Sequence, residues 1–232
     1  MPRRKVPWPY SVRRSTRAKR VTLKLSRTTG LEVVVPLGFD EARIPEILES
    51  KAGWISKHLG KTPTVEKLQR PESIDLKSIQ ECWKVEYLAT SGGGLTVYEG
   101  GDGTLAVEGA VDDPLRVAGA LNEWLQAKAG KVLVPWLQEL SRDLSIPFAR
   151  VTIRRQKTRW GSCSKQRSIN LNRNLLFFPP QLVRYVLVHE LCHTKQLDHS
   201  EKFWSLVEGY EPDARRRRRE IETASGEIPP WA

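Results

Sequence analysis

Residues 188–199 read Val-His-Glu-Leu-Cys-His-Thr-Lys-Gln-Leu-Asp-His, which is H-E-x-x-H with a third histidine six positions on. The chain has four histidines, and His189, His193 and His199 all fall in this stretch. Residues four apart share one face of an α-helix, so His189 and His193 can grip one ion together. Glu190 sits one step round, within reach of a water on that ion but poorly placed to be the main ligand. This is the spacing with which two helix histidines hold zinc and a glutamate serves as general base. At ordinary His and Glu frequencies, H-E-x-x-H arises by chance in roughly half a percent of chains this long, and a further histidine at one fixed place is about fiftyfold rarer.

The flanking residues supply the helix that the motif needs. Pro179 and Pro180 stop what precedes them and suit a helix start. Leu182, Val183, Val186, Leu187, Leu191 and Cys192 then cover more than half the circumference, so the helix is expected to be largely buried. A plain core helix explains those residues but not His189, Glu190 and His193 among them, because buried polar groups need partners. Ser200 is a candidate cap for a second helix, in which Phe203, Leu206, Val207 and Tyr210 recur at helical spacing. That helix would hold His199 as the third ligand. The metzincin pattern H-E-x-x-H-x-x-G-x-x-H has the same outer spacing. Gln196 stands where its glycine would be, so the chain must turn in another way and the metzincin label is not applied.

Bulk composition narrows the class. The chain has 232 residues, 39% hydrophobic and 28% charged, as in ordinary globular proteins. No stretch approaches the length of a membrane span, and the basic start has no apolar h-region. The three cysteines, Cys82, Cys163 and Cys192, are odd in number and widely spaced, which suits reduced thiols and a cytoplasmic setting. Cys192 reads as a core thiol rather than a ligand, and Cys163 as a buried thiol rather than a reactive one. Net charge is +11 with a pI near 9.8. The basic residues gather between Arg3 and Arg27 and at Arg215–Arg219. Such a surface can attract nucleic acid or nucleotides, but no recognition motif accompanies it, and a solvated helix face accounts for the arginine run.

Along the chain, residues 19–37 alternate around Thr29-Gly30 and predict a β-hairpin. Residues 40–59 predict a helix capped by Asp40 and ended by Gly60, with Pro45 in its early part. Residues 61–80 read as irregular, and 81–109 as short strands. The glycines at 92–94 and 100–103 fit hairpin turns better than a phosphate loop, because the G-x-x-x-x-G-K-S/T pattern is missing. Asp113-Pro114 opens a helical region reaching about Leu144. Two strands follow, 150–154 and 168–177, around a loop holding Thr158–Ser164. The expected break lies near residue 112: a β-rich region with one helix over 1–112, then a metal-binding domain over 113–232.

Arg159-Trp-Gly-Ser-Cys163, then an N-x-x-L strand, then V-x-H-E-L-C-H-x(5)-H-S-x-x-F-W resembles the YgjP-like metallopeptidase family, which is related to WLM-type and SprT-like zinc peptidases. Arg13–Arg20 and Lys51–Lys57 resemble its usual opening. The resemblance implies an α+β, zincin-like core, with a small antiparallel sheet beside the active-site helix. It implies His189, His193 and His199 as zinc ligands and Glu190 as catalytic acid/base. It also implies that residues 168–176 form an edge strand lining the cleft, so that Asn170 and Asn172 would meet a peptide substrate. WLM-type and SprT-like relatives degrade proteins crosslinked to DNA, and some YgjP-like members have been linked to nucleotide hydrolysis. For the developing oxyanion, Tyr210 and Arg159 are the candidate electrophiles. Three readings therefore stand: a zinc peptidase, a metal-dependent nucleoside triphosphate pyrophosphohydrolase, and a nucleic-acid-associated protein with a structural zinc. The first keeps one metal position open, whereas the third would close it with a fourth Cys or His that is not evident. Oligomeric state is not legible.

Overall fold

The computed structural model describes residues 8, 10–16, 18–26, 30–59, 70–91, 94–156 and 158–232. The chain divides into two compact units, Met1–Gln69 and Arg70–Ala232. The strands between 73 and 109 therefore belong with the motif-bearing part, and the division falls well before residue 112.

The first unit holds β1 (Tyr10–Ser15), β2 (Thr22–Ser26) and β3 (Gly30–Pro36), in the order β1-β3-β2. β2 and β3 pair antiparallel, as the alternating pattern predicts, and β1 adds a parallel edge that the pattern did not announce. Thr29, on the expected turn, lies outside the described residues, as do the basic residues Arg3 and Arg4. A 3-10 turn (Glu41–Arg43) leads into α1 (Ile44–Ser50) and α2 (Ala52–Leu59). The Asp40 carboxylate accepts from the Ala42 N–H at 3.0 Å, starting this segment as the sequence suggests. Lys51 interrupts what read as one helix. Leu31, Val33 and Val35 on one face of β3 pack with Ile44, Leu48 and Ile55 as the core. Gly60, the expected helix end, and residues 61–69 lie outside the described residues.

The second unit is mixed α and β. Its first sheet contains β4 (Ser73–Leu76), β5 (Glu81–Ala89), β6 (Leu95–Glu99) and β7 (Thr104–Gly109), ordered β4-β5-β7-β6. β4 forms within a stretch that read as irregular, by pairing antiparallel with β5. β5 and β7 are parallel, so the glycines near 92–94 do not close a hairpin between β5 and β6; Gly92 and Gly93 lie outside the described residues. Gly100–Gly103 does close one, between β6 and β7.

α3 (Pro114–Asp143) is continuous through Gly130 and Pro135. Asp113 accepts from the N–H groups of Leu115 and Arg116, and Pro114 begins the helix without needing its own N–H. At 30 residues it runs about 45 Å. Its buried face includes Val117, Leu121, Leu125, Leu133 and Leu137.

The second sheet contains β8 (Arg150–Arg154), β9 (Gly161–Cys163) and β10 (Ser168–Asn172), ordered β8-β10-β9. β10 pairs parallel with β8 and antiparallel with β9, so it is central. The expected loop at 158–164 contributes the edge strand β9 instead. Beyond Asn172 the chain winds into a buried 3-10 turn, Arg173–Phe177, where a longer strand was expected. α4 (Pro180–Cys192) then packs against β9, α3, α5 (Glu201–Tyr210) and α6 (Ala214–Ala224). Among the described residues, no helix is long and apolar enough to cross a membrane.

Candidate metal centre

α4 is set by its apolar surface. Leu182, Val183, Val186, Leu187, Val188 and Leu191 are buried, which fixes the rotation of the helix. That rotation points His189 and Glu190 toward β9, α5 and α6. His193 caps the helix, its N–H bonding the His189 carbonyl at 3.2 Å. The chain then reverses through bonds from Lys195 and Gln196 N–H to the Cys192 carbonyl, both 3.0 Å. This tight turn replaces the missing glycine and brings His199 back onto the helix end.

The three imidazoles converge. His189 Nε2 lies 3.1 Å from His193 Nε2 and 3.2 Å from His199 Nε2, and all three candidate ligand atoms lie within 4.8 Å of one another. A tetrahedral zinc with nitrogens at about 2.0–2.1 Å sets them about 3.3 Å apart, close to this spacing. His193 Nδ1 is 2.9 Å from the Gln196 carbonyl. A carbonyl can only accept, so Nδ1 carries the proton and Nε2 offers its lone pair. Gln196 thus orients the His193 ring through its backbone. Burial, with the neighbouring histidines adding to it, pushes His189 down to about 3, so its ring stays neutral and able to bind an ion. His189 Nδ1 is buried without a hydrogen-bond partner.

Aromatic packing fixes the rings. Phe203 is fully buried and stacks on His193 with centroids 4.3 Å apart and planes 17° from parallel. Trp204 lies near His189 and His199, at 6.0 and 6.2 Å. Ser200 stands at the N-cap position of α5, but its hydroxyl makes no cap bond. Asp198 instead ties the turn ahead of α5, accepting from the N–H of Ser200 itself at 3.0 Å and from the Gln196 amide. Those bonds, Ser200 first, hold its carboxyl down at about 2.

Glu190 is 4% exposed and its Oε2 has no partner. Burial pushes its carboxyl up to about 8, opposed by the charge of Arg159. Its side chain rests directly on Gly161. A Cβ there would lie 2.5 Å from Glu190 Cγ and Oε1, so no other residue fits without moving the carboxylate. The glycine of the Arg-Trp-Gly-Ser-Cys run is therefore the floor under Glu190.

A cavity of about 700 Å³ opens over these groups. Arg159 through Cys163, Tyr185, Leu197, Trp204 and Arg218 are among its lining residues. Trp160 packs edge-on against Phe178, as a structural aromatic would. The Cys163 thiol is half-buried, and burial with the Glu190 charge lifts it to about 11, which leaves it unreactive. Cys192 is fully buried and lifted to about 12 by burial.

Several residues singled out from the sequence lie elsewhere. Asn170 and Asn172 sit on central β10, which has both hydrogen-bonding edges occupied and is not the expected edge strand. Neither lines the cavity. Asn170 Nδ2 donates to Ser162 Oγ at 3.2 Å. Asn172 Nδ2 donates to the Gln156 and Arg159 carbonyls, both at 2.9 Å, while its Oδ1 accepts from Asn174 N–H. Tyr210 ends α5 and is not among the cavity-lining residues. Tyr185, which the sequence reading passed over, is in the wall. Its signal was its position four residues before His189, on the same helical face.

A family model for the YgjP-like metallopeptidase domain matches residues 19–224. No curated protein matches the chain. A match over so much of its length, enclosing both the Arg-Trp-Gly-Ser-Cys run and the three converging histidines, shows that the chain belongs to the YgjP-like metallopeptidase family.

Proposed function

We propose that the chain is a zinc-dependent peptidase with a zincin-like core, in which His189, His193 and His199 hold the ion and Glu190 is the acid/base. The convergence of three imidazole Nε2 atoms beside a buried carboxyl carries this reading. The donor set fits zinc: nitrogen ligands, near-tetrahedral spacing and, among the described residues, no fourth His, Cys, Asp or Glu in the group. A bound zinc ion supplies an acidified water and polarises the scissile carbonyl.

The protein's own groups do the rest. Glu190, lifted by burial toward neutral pH, accepts a proton at its carboxylate and returns it to the leaving nitrogen. Tyr185, lifted to about 12 chiefly by burial, keeps its phenol proton at neutral pH and can donate to a developing oxyanion. Strand β9 offers the substrate a backbone edge. Bonds from Asn172 N–H to the Trp160 carbonyl and from Ser164 N–H to the Ser168 carbonyl set the antiparallel alternation. Gly161 and Cys163 are then the non-hydrogen-bonded pairs, and their N–H and C=O groups face away from β10. An extended peptide can pair there, beside Glu190. The free thiols of Cys82, Cys163 and Cys192 fit a cytoplasmic setting.

Arg159 and Arg218 in the cavity wall keep one rival open, hydrolysis of a phosphoanhydride. The arginine run gives nucleic-acid binding less support. Arg215, Arg216, Arg217 and Arg218 all pair with acidic side chains on α5, on α6 or just before it.

The test combines metal analysis with a screen of peptides and nucleoside triphosphates, with and without chelator. Glu190→Gln is expected to retain zinc and lose about 10²–10⁴-fold in peptide hydrolysis. Full activity of that variant, or chelator-sensitive release of phosphate without peptide cleavage, overturns the assignment.

A further inference from the structure

Most arginines of the second unit are committed to protein partners. Arg184 pairs with Glu211 at 2.6 Å and Arg215 with Glu208 at 2.6 Å. Arg217 reaches Glu220 at 3.0 Å. Arg218, on the α6 side of the cavity, lies 5.4 Å over the Trp204 ring and 3.4 Å from Glu222, which also lines the cavity. Its charge is therefore balanced on the spot.

Arg159 lines the same cavity and is different. Its side chain is exposed, and its guanidinium has no ion pair or hydrogen bond among the described residues. Its backbone is held firmly: Asn172 Nδ2 bonds the Arg159 carbonyl at 2.9 Å, and the next residue's carbonyl accepts from Asn172 N–H. Arg159 and Glu190 line the same cavity. Arg159 also stands two residues before Gly161, where the open edge of β9 begins. A peptide on that edge advances about 3.3 Å per residue, so one within about two residues of the scissile bond comes beside Arg159.

We propose that Arg159 is a specificity-determining residue that selects peptide substrates with an acidic side chain on its side of the scissile bond. The planar guanidinium matches a carboxylate in shape and charge, and among the described residues no side chain is hydrogen-bonded or ion-paired to it. Arg218 does not offer this, because Glu222 already answers it. The inference rests on the peptidase reading and adds the class of substrate to it.

Position-scanning peptide libraries, run on zinc-loaded wild type, Arg159→Glu and Arg159→Lys, test it. Wild type is expected to favour Asp or Glu over Lys at one position near the cut by about fivefold in kcat/KM, carried mostly by KM, as suits an exposed ion pair. Arg159→Glu is expected to reverse that preference toward Lys and Arg, and Arg159→Lys to keep it. Zinc content and the far-ultraviolet circular dichroism of each variant certify an intact fold. An unchanged charge preference in Arg159→Glu overturns the proposal and leaves the peptidase reading standing. So does a loss confined to kcat with every peptide alike, which assigns Arg159 to the oxyanion. If wild type cleaves no peptide in the library, the peptidase reading falls and this proposal falls with it.

Discussion

Strands β9 and β10 lie side by side, yet they do opposite jobs. β10 is central, and its asparagines spend their side chains on the scaffold: Asn172 ties together Gln156, Arg159 and Asn174. β9 is three residues long and pairs on one side only. Its contribution is what it leaves free, a backbone edge and, at Gly161, the missing side chain that makes room for Glu190. The contrast teaches that polar residue type alone does not mark a substrate contact. Asn170 and Asn172 look like ligand-binding residues in one dimension, but in three they are already bonded.

This contrast can be broken at Gly161. Gly161→Ala is expected to keep its zinc and lose about 10²-fold in kcat, because the methyl group displaces a carboxylate that must sit within a fraction of an ångström. Adding Glu190→Asp, whose shorter side chain withdraws from the methyl, should cost less in that background than in wild type. Additive losses would show that Gly161 does not act through Glu190.

The converse prediction sits on β10. Asn172→Ala is expected to destabilise the protein by about 1–3 kcal/mol, read by denaturant unfolding, because it leaves the Gln156 and Arg159 carbonyls and the Asn174 N–H without their partner. Its kcat per zinc-loaded molecule should stay near wild type. A large loss of kcat at unchanged stability would move β10 into the active site and erase the distinction.

A further effect concerns pH in chelator-treated protein. Burial lifts the Glu190 carboxyl from its ordinary 4.5 to about 8, so folding favours the protonated form. A raised acid pKa contributes stability below the unfolded value, and that contribution is lost as pH climbs from about 4.5 to about 8. The neutral Glu190→Gln side chain has no such loss. The variant's Tm should therefore pull ahead of wild type by about ten degrees toward pH 8, with the gap closing near pH 4. A constant gap across that range would mean that the carboxylate is solvated rather than buried. His189 acts in the opposite sense, its burial withdrawing stability as pH falls from about 6.5 toward 3 in both proteins, so the difference between them isolates Glu190.

The sequence by itself determined the local features. Periodicity set the apolar face of α4, Asp113-Pro114 set the start of α3, and i, i+4 spacing set His189 and His193 on one face. Those are short-range consequences of helical geometry, legible one turn at a time. Which strand of the second sheet is the edge was decided only by tertiary pairing, because strand order depends on partners far apart in sequence. β8 takes one side of β10 and β9 the other, and a three-residue strand carries too little pattern to announce itself. The packing of Glu190 on Gly161 joins residues twenty-nine apart in number. The turn that returns His199 to the site depends on backbone bonds that Gln196 makes regardless of its side-chain type. Spacing along the helix named His189 and His193 as candidate metal ligands, and long-range packing decided what faces them.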